Sequence, residues 1–186
     1  MQPWIDVPDV AALAADGAGD RADFACVMVQ ALAERAEGRG ALPDLLGLQR
    51  ADLAGLVARH FPGTRLPDLE VERGPVGKDQ ESLELLIRWR GRPAGEESLW
   101  LAKIIARRAM ERRHLWEDLG LPSRAALGAL MARHFPALVA ANSQGMRWKK
   151  FFYRQICSDT AFALCLSPSC DDCLERADCF PPKELH

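Results

Sequence analysis

Apolar positions recur along most of this chain at helical spacing. Leu53, Leu56, Val57 and His60 fall on one face of a 3.6-residue repeat, and so do Leu127, Leu130, Met131 and His134. Strand signals are scarce: β-branched residues are few, while Ala, Leu, Arg and Glu are abundant, which favours helix when summed over long windows. The pattern predicts helices over residues 22–37, 49–60, 79–90, 97–112, 123–134 and 146–157. Pro43, Pro62, Pro93, Pro122 and Pro136 fall between them as punctuation. Residues 38–44 and 91–96 read as short breaks, and residues 61–78, rich in Pro and Gly, as an irregular connection.

Residues 47–62 resemble residues 120–136 once one inserted residue is allowed, and both stretches close on Ala-Arg-His-Phe-Pro. Two copies are too few for a solenoid, but they predict two similar helical units packed together with pseudo-twofold symmetry. The expected fold is all-α: a compact multi-helix domain with two similar units, followed by a C-terminal irregular cysteine-rich metal-binding loop. One domain over residues 1–186 is expected, with a helical body over 1–157 and a cysteine-rich tail over 158–186.

Composition changes this picture little, since 48% apolar and 27% charged residues are ordinary for a chain that buries a core. No run of about 18 apolar residues occurs, so no membrane span is expected. The segment from Met1 to Asp6 lacks a basic and an apolar region of the kind a signal peptide has, and a cytoplasmic location is expected. There thiols stay reduced, so the six cysteines read first as ligands, reactive thiols or core residues.

Charge is more informative. Residues 1–102 carry 11 Lys and Arg against 17 Asp and Glu, residues 103–154 carry 11 against 3, and residues 155–186 carry 2 against 6. A basic middle therefore adjoins an acidic, cysteine-rich end. That block suits an anionic partner, whether oxoanion, cluster, nucleic acid or acidic protein; a solvated helical face is the plainer alternative.

The candidate chemistry lies in Cys165, Cys170, Cys173 and Cys179, four cysteines within 15 residues at the spacing C-x4-C-x2-C-x5-C. Thiolates are soft donors suited to iron–sulfur clusters, zinc and copper(I). Structural zinc sites usually set two short knuckles about 12–20 residues apart. Here the central gap is two residues, and C-x4-C-x2-C matches the plant-type ferredoxin cluster loop. Spacing favours a cluster over zinc and leaves zinc open. A thioredoxin-like role for Cys170 and Cys173 lacks the βαβ context it needs.

Cys157 precedes this loop. On a helix over 146–157, Arg147, Lys150, Arg154 and Cys157 share one face, while Trp148, Phe151, Phe152 and Gln155 share a broad opposite one that should dock on the body. Cations at Arg147, Lys149, Lys150 and Arg154 would stabilise an anionic cluster or oxoanion and favour thiolates. Solvation, or contact with Asp171 and Asp172, is the competing reading. His60 and His134 read as residues that interact with helix-terminal carbonyls before metal ligands, and Cys26 as a buried small residue. No phosphate loop, nucleophile elbow or His-Glu-x-x-His motif occurs, and no pair of residues suggests acid–base catalysis.

The segment Met146-Arg147-Trp148-Lys149-Lys150-Phe151-Phe152-Tyr153-Arg154-Gln155-Ile156-Cys157, with the four-cysteine loop after it, resembles the NifQ family. Residues 101–108, 114–121 and 134–136 resemble it too, so the likeness spans roughly residues 80–180. The resemblance implies a carrier, not a turnover enzyme. Such a protein holds a cluster of molybdenum, iron and sulfur, [Mo-3Fe-4S] or a [4Fe-4S] or [3Fe-4S] precursor. It takes molybdenum from molybdate and passes it to NifEN and NifH for the iron–molybdenum cofactor of nitrogenase, in nitrogen fixation. It further implies Cys165, Cys170, Cys173 and Cys179 as ligands, with Cys157 at another family position. One departure is Pro181-Pro182 after Phe180, where the family often has glycine. The competing expectations are a zinc-stabilised module that binds nucleic acid or protein, and a redox protein.

Overall fold

The computed structural model describes residues 19–159. Among the described residues lie nine helices and no strand: α1 Asp20–Ala36, α2 Leu42–Leu46, α3 Arg50–His60, α4 Lys78–Gly91, α5 Glu96–Arg108, α6 Leu115–Asp118, α7 Arg124–His134, α8 Pro136–Ala141 and α9 Trp148–Asp159. The tail from residue 160 lies outside them.

The two similar units are present and longer than the sequence match. Each consists of a long helix, a short helix, a left-handed glycine and an 11-residue helix: α1, α2, Gly47 and α3 in the first, α5, α6, Gly120 and α7 in the second. Gly47 has φ 69° and Gly120 φ 70°, a conformation in which a Cβ is strained. Both 11-residue helices have a polar start. The Gln49 N–H donates to the Asp52 carboxylate at 3.2 Å, and the Ser123 hydroxyl accepts from the Ala126 N–H at 3.1 Å. Both stop at a buried phenylalanine of nearly the same backbone geometry, Phe61 (φ −134°, ψ 52°) and Phe135 (φ −138°, ψ 53°).

The units exchange contacts reciprocally. A Cβ on Gly47 would meet the α5 backbone oxygen of Lys103 at 3.0 Å and the Cβ of Arg107 at 2.7 Å; one on Gly120 would meet the α1 oxygen of Cys26 at 2.7 Å and the Cβ of Gln30 at 2.9 Å. Arg59 at the end of α3 binds Glu96 and Glu97 in the first turn of α5, and Arg133 at the end of α7 binds Asp20 and Asp23 in the first turn of α1. Carboxylates in a first helical turn complement the exposed N–H groups there, and the arginine from the other unit holds them in place. This two-way exchange is the pseudo-twofold arrangement that the repeated Ala-Arg-His-Phe-Pro predicts.

A core of Leu, Ile, Phe and Ala joins the units, with α4 packed along α5 through Leu83, Leu86 and Ile87. Three details differ from the pattern of the sequence. Helices α2, α6 and α8 carry four to six residues each, too few for a periodic signal. Pro43 and Pro136 lie in first turns, where proline needs no N–H partner, so they start helices instead of separating them. Helix α5 ends at Arg108 although good helix formers continue to residue 113.

Candidate functional site

Cys165, Cys170, Cys173 and Cys179 lie outside the described residues, and Cys157 stands in the last turn of α9, so the structure defines the platform from which the cysteine tail departs. Helix α9 is held by its apolar face. Phe151 and Phe152 are fully buried and Ile156 nearly so, while Trp148 packs 5.6 Å from the rings of both phenylalanines. This is the docking its spacing predicts.

The cations of this segment divide. Lys149 turns into the protein, and its ammonium donates to the Glu111 carbonyl at 2.6 Å, the Arg113 carbonyl at 2.7 Å and the Asp118 carboxylate at 2.5 Å. Those three acceptors lie at the corner between α5 and α6, so Lys149 holds the chain where it leaves the helix. Burial pushes the Asp118 carboxyl above its ordinary value, and the Lys149 hydrogen bond only partly offsets that. Lys150 and Arg154 lie four residues apart, on the face that Cys157 continues three residues on. Arg154 is exposed and approaches the Met146 sulfur at 3.7 Å, while Lys150 is half-buried. Arg147 precedes the helix, its carbonyl accepting from the Phe151 N–H at 2.9 Å. The far end of α9 is tied to α4 by Arg90, which donates to the Gln155 side chain at 2.9 Å.

A polar cleft of about 670 Å3 opens beside the same corner, lined by Gln30, Glu34, Arg39, Glu111, Arg113 and Asp118 among others. Below it Arg108, fully buried, donates to Glu34 at 2.5 Å, joining α1 to α5. Burial raises the Glu34 carboxyl, but hydrogen bonds from Gln30 and Arg108 outweigh it and hold that group below the usual range. Three of the cleft acids are neutralised locally: Glu34 by Arg108 and Arg39, Glu111 by Arg39 and Arg107, Asp118 by Lys149.

The repeated histidines converge on the N-terminal halves of α1 and α5, where they contact side chains. His134 is hydrogen-bonded through Nδ1 to the Ser98 hydroxyl at 3.0 Å and through Nε2 to Asp20 at 2.9 Å. The His60 ring lies 4.7 Å from Phe24 at a tilt of 43° and edge-on to Trp100, and burial pushes its pKa down. Cys26 is buried in α1, as its apolar neighbours predict, and burial raises its thiol pKa. Among the described residues no group of three or more His, Cys, Asp or Glu is arranged to hold a metal, and no helix is long and apolar enough to cross a membrane.

Sequence reasoning missed the role of Asp118 and the short helices that build its corner. The signal was available: Leu42-Pro43-Asp44-Leu45-Leu46-Gly47 parallels Leu115-Trp116-Glu117-Asp118-Leu119-Gly120, extending the repeat upstream.

Known proteins resemble this chain over most of its length. The family described as NifQ matches residues 24–181, a span that contains all six cysteines. A protein named NifQ from Rhodobacter capsulatus is 60% identical over 156 residues, covering 84% of this chain and 87% of the relative. A NifQ homolog of Sinorhizobium fredii (strain NBRC 101917 / NGR234) is 40% identical over 164 residues, covering 87% and 71%, and the NifQ protein of Azotobacter vinelandii is 37% identical over 158 residues, covering 77% and 81%. No solved structure matches the chain.

Proposed function

The chain belongs to the NifQ family, and we propose that it carries a molybdenum–iron–sulfur cluster and donates the molybdenum for assembly of the nitrogenase iron–molybdenum cofactor. One observation carries the reading: the four-thiol motif C-x4-C-x2-C-x5-C follows Arg-Trp-Lys-Lys-Phe-Phe after 12 intervening residues in a chain of this family. Cys165, Cys170, Cys173 and Cys179 are the ligands of this proposal, with Cys157 a further candidate. The cargo is [Mo-3Fe-4S] or a [4Fe-4S] or [3Fe-4S] precursor, the molybdenum source molybdate, and the receivers NifEN and NifH in the cytoplasm.

The donor chemistry is consistent with this. Soft thiolates suit iron and sulfide-rich cargo, and molybdenum accepts sulfur or oxygen donors. A transferable metal needs a site that can release it, and the four thiols of Cys165, Cys170, Cys173 and Cys179, all within 15 residues, are the donors of this proposal. Arg154 and Lys150 put positive charge on the face of α9 that leads to Cys157, favouring thiolate ligands and an anionic cargo. The protein acts as a carrier, its body a rigid mount and its tail the hand-over element.

Substitution of single cysteines tests the proposal. Cys170→Ala and Cys173→Ala, purified without oxygen, are expected to lose iron and molybdenum while keeping wild-type helical circular dichroism. Full iron and molybdenum in either variant would contradict the ligand assignment.

A further inference from the structure

Arg108 is fully buried, yet only one of its three guanidinium nitrogens is used. Nη1 donates to Glu34 at 2.5 Å, whereas Nε and Nη2 are closed to solvent and meet no acceptor. On a guanidinium, Nε–H and Nη2–H lie side by side and form the fork that takes two oxygens of one carboxylate or oxoanion. Buried donors are nearly always satisfied, so an unpaired fork at full burial marks a place built to take an acceptor. Burial also pushes the Arg108 guanidinium below its ordinary pKa, and the bond to Glu34 only partly offsets this, so a second anion would stabilise the charge. Packing does not call for arginine here. The reciprocal contacts of Gly47 and Gly120 match Lys103 with Cys26 and Arg107 with Gln30, which makes Arg108 the counterpart of Ala31, equally buried in the first unit.

We propose that the polar cleft beside Arg108 admits a tetrahedral oxoanion, molybdate in the carrier function proposed above, and that the Nε/Nη2 fork binds two of its oxygens. The cleft adjoins Arg108 through Glu34, which Arg108 holds, and through Met110 and Glu111, two and three residues beyond it. Three more arginines line the cleft. Arg39 bridges Glu34 and Glu111, Arg113 approaches Asp118 at 3.6 Å, and Arg112 is exposed and pairs with no carboxylate among the described residues. Of the cleft acids only Glu37 lacks an ion pair there, so the spare charge is cationic and draws an anion in. Both fork donors are closed off as the side chains stand, so the anion enters with a shift of the Glu34 wall. Helix α9 reaches the same corner: Lys149 binds Asp118, and the Tyr153 hydroxyl lies 3.5 Å from the carbonyl of Ala109, next to Arg108. The inference rests on the carrier function and adds where its molybdenum source is first held.

The test uses the full chain, purified without oxygen and then freed of metal with a chelator, as wild type, Arg108→Lys, Glu34→Gln and Cys170→Ala. Binding of molybdate alone is measured by equilibrium dialysis, with sulfate and phosphate as competitors. Arg108→Lys keeps the charge facing Glu34 but removes the fork, and should bind molybdate at least about tenfold more weakly. Glu34→Gln removes the competing carboxylate and should bind molybdate more tightly, with a larger rise of thermal midpoint on adding it than in wild type, a gain that a merely structural role would not produce. Cys170→Ala should bind as wild type does. Wild-type affinity in both Arg108→Lys and Glu34→Gln would overturn the inference, and so would a wild type that binds no molybdate. Loss of binding in Cys170→Ala alone would overturn it too, leaving the thiols as the oxoanion site. Tighter binding of phosphate or sulfate would overturn molybdate as the ligand. Absence of iron and molybdenum from the wild type as purified refutes the carrier function instead, and that metal analysis is independent of the dialysis.

Discussion

Lys149 reaches from the first turn of α9 to Asp118 at the end of α6, and the pair is nearly closed off from solvent, with side-chain exposures of 18% and 3%. The same ammonium caps the Glu111 and Arg113 carbonyls. The helix that leads to the cysteine tail is thus fixed to the corner between α5 and α6 of the second unit. Removing one member of a buried pair leaves the other without compensation. Lys149→Met should destabilise the protein by about 3 kcal/mol, read from urea unfolding. Adding Asp118→Leu should restore most of the loss, and failure to do so would show that the carbonyl contacts carry it.

Gly120 offers a sharper test of the reciprocal packing. Alanine there adds the strain of a left-handed residue, about 1–2 kcal/mol, to a clash with the Cys26 backbone oxygen, which cannot swing away. A total of about 2–4 kcal/mol is expected. Gly63→Ala has a similar φ of 82° but open space around it, so only the strain should register. Equal losses at the two sites, in urea midpoints, would contradict the packing.

His60 links the fold to pH. Its pKa is lowered, first by burial, so the folded protein disfavours the imidazolium. The corresponding stability is present above the unfolded value of about 6.5 and declines as pH falls from there toward the lower folded value. His60→Phe, which keeps an aromatic ring against Phe24 and Trp100, should lose less stability than wild type between pH 7 and 5.5. Parallel curves for the two proteins would remove His60 from the account.

Lys150 and Arg154 test the electrostatic part of the site. Their joint replacement by alanine should lower molybdenum per chain, or slow its delivery, while the helical spectrum stays unchanged. Unaltered loading and transfer would make them ordinary solvated residues.

Much of this architecture was legible in the sequence because it is carried by period and repetition. All six long helices appear where the apolar spacing puts them, and the repeated Ala-Arg-His-Phe-Pro marked two units that prove to be geometrically alike down to Phe61 and Phe135. What escaped has a physical cause in each case. The short helices contain too few turns for a period, and prolines 43 and 136 open helices in a way that resembles a break. The corner that follows α5 is held by Lys149 and Asp118, a contact across 31 residues that no local pattern records. On α9, spacing predicted the buried face but not that Lys149 would turn inward while Arg154 stays at the surface.

Metal analysis of the wild-type chain tests the central claim most directly. Cells are supplied with molybdate, the protein is purified without oxygen, and iron, molybdenum, zinc and acid-labile sulfide are measured per chain. The carrier account predicts about three irons with sulfide and up to about one molybdenum. About one zinc per chain, with neither iron nor sulfide, would contradict it and make the cysteine loop a structural zinc site.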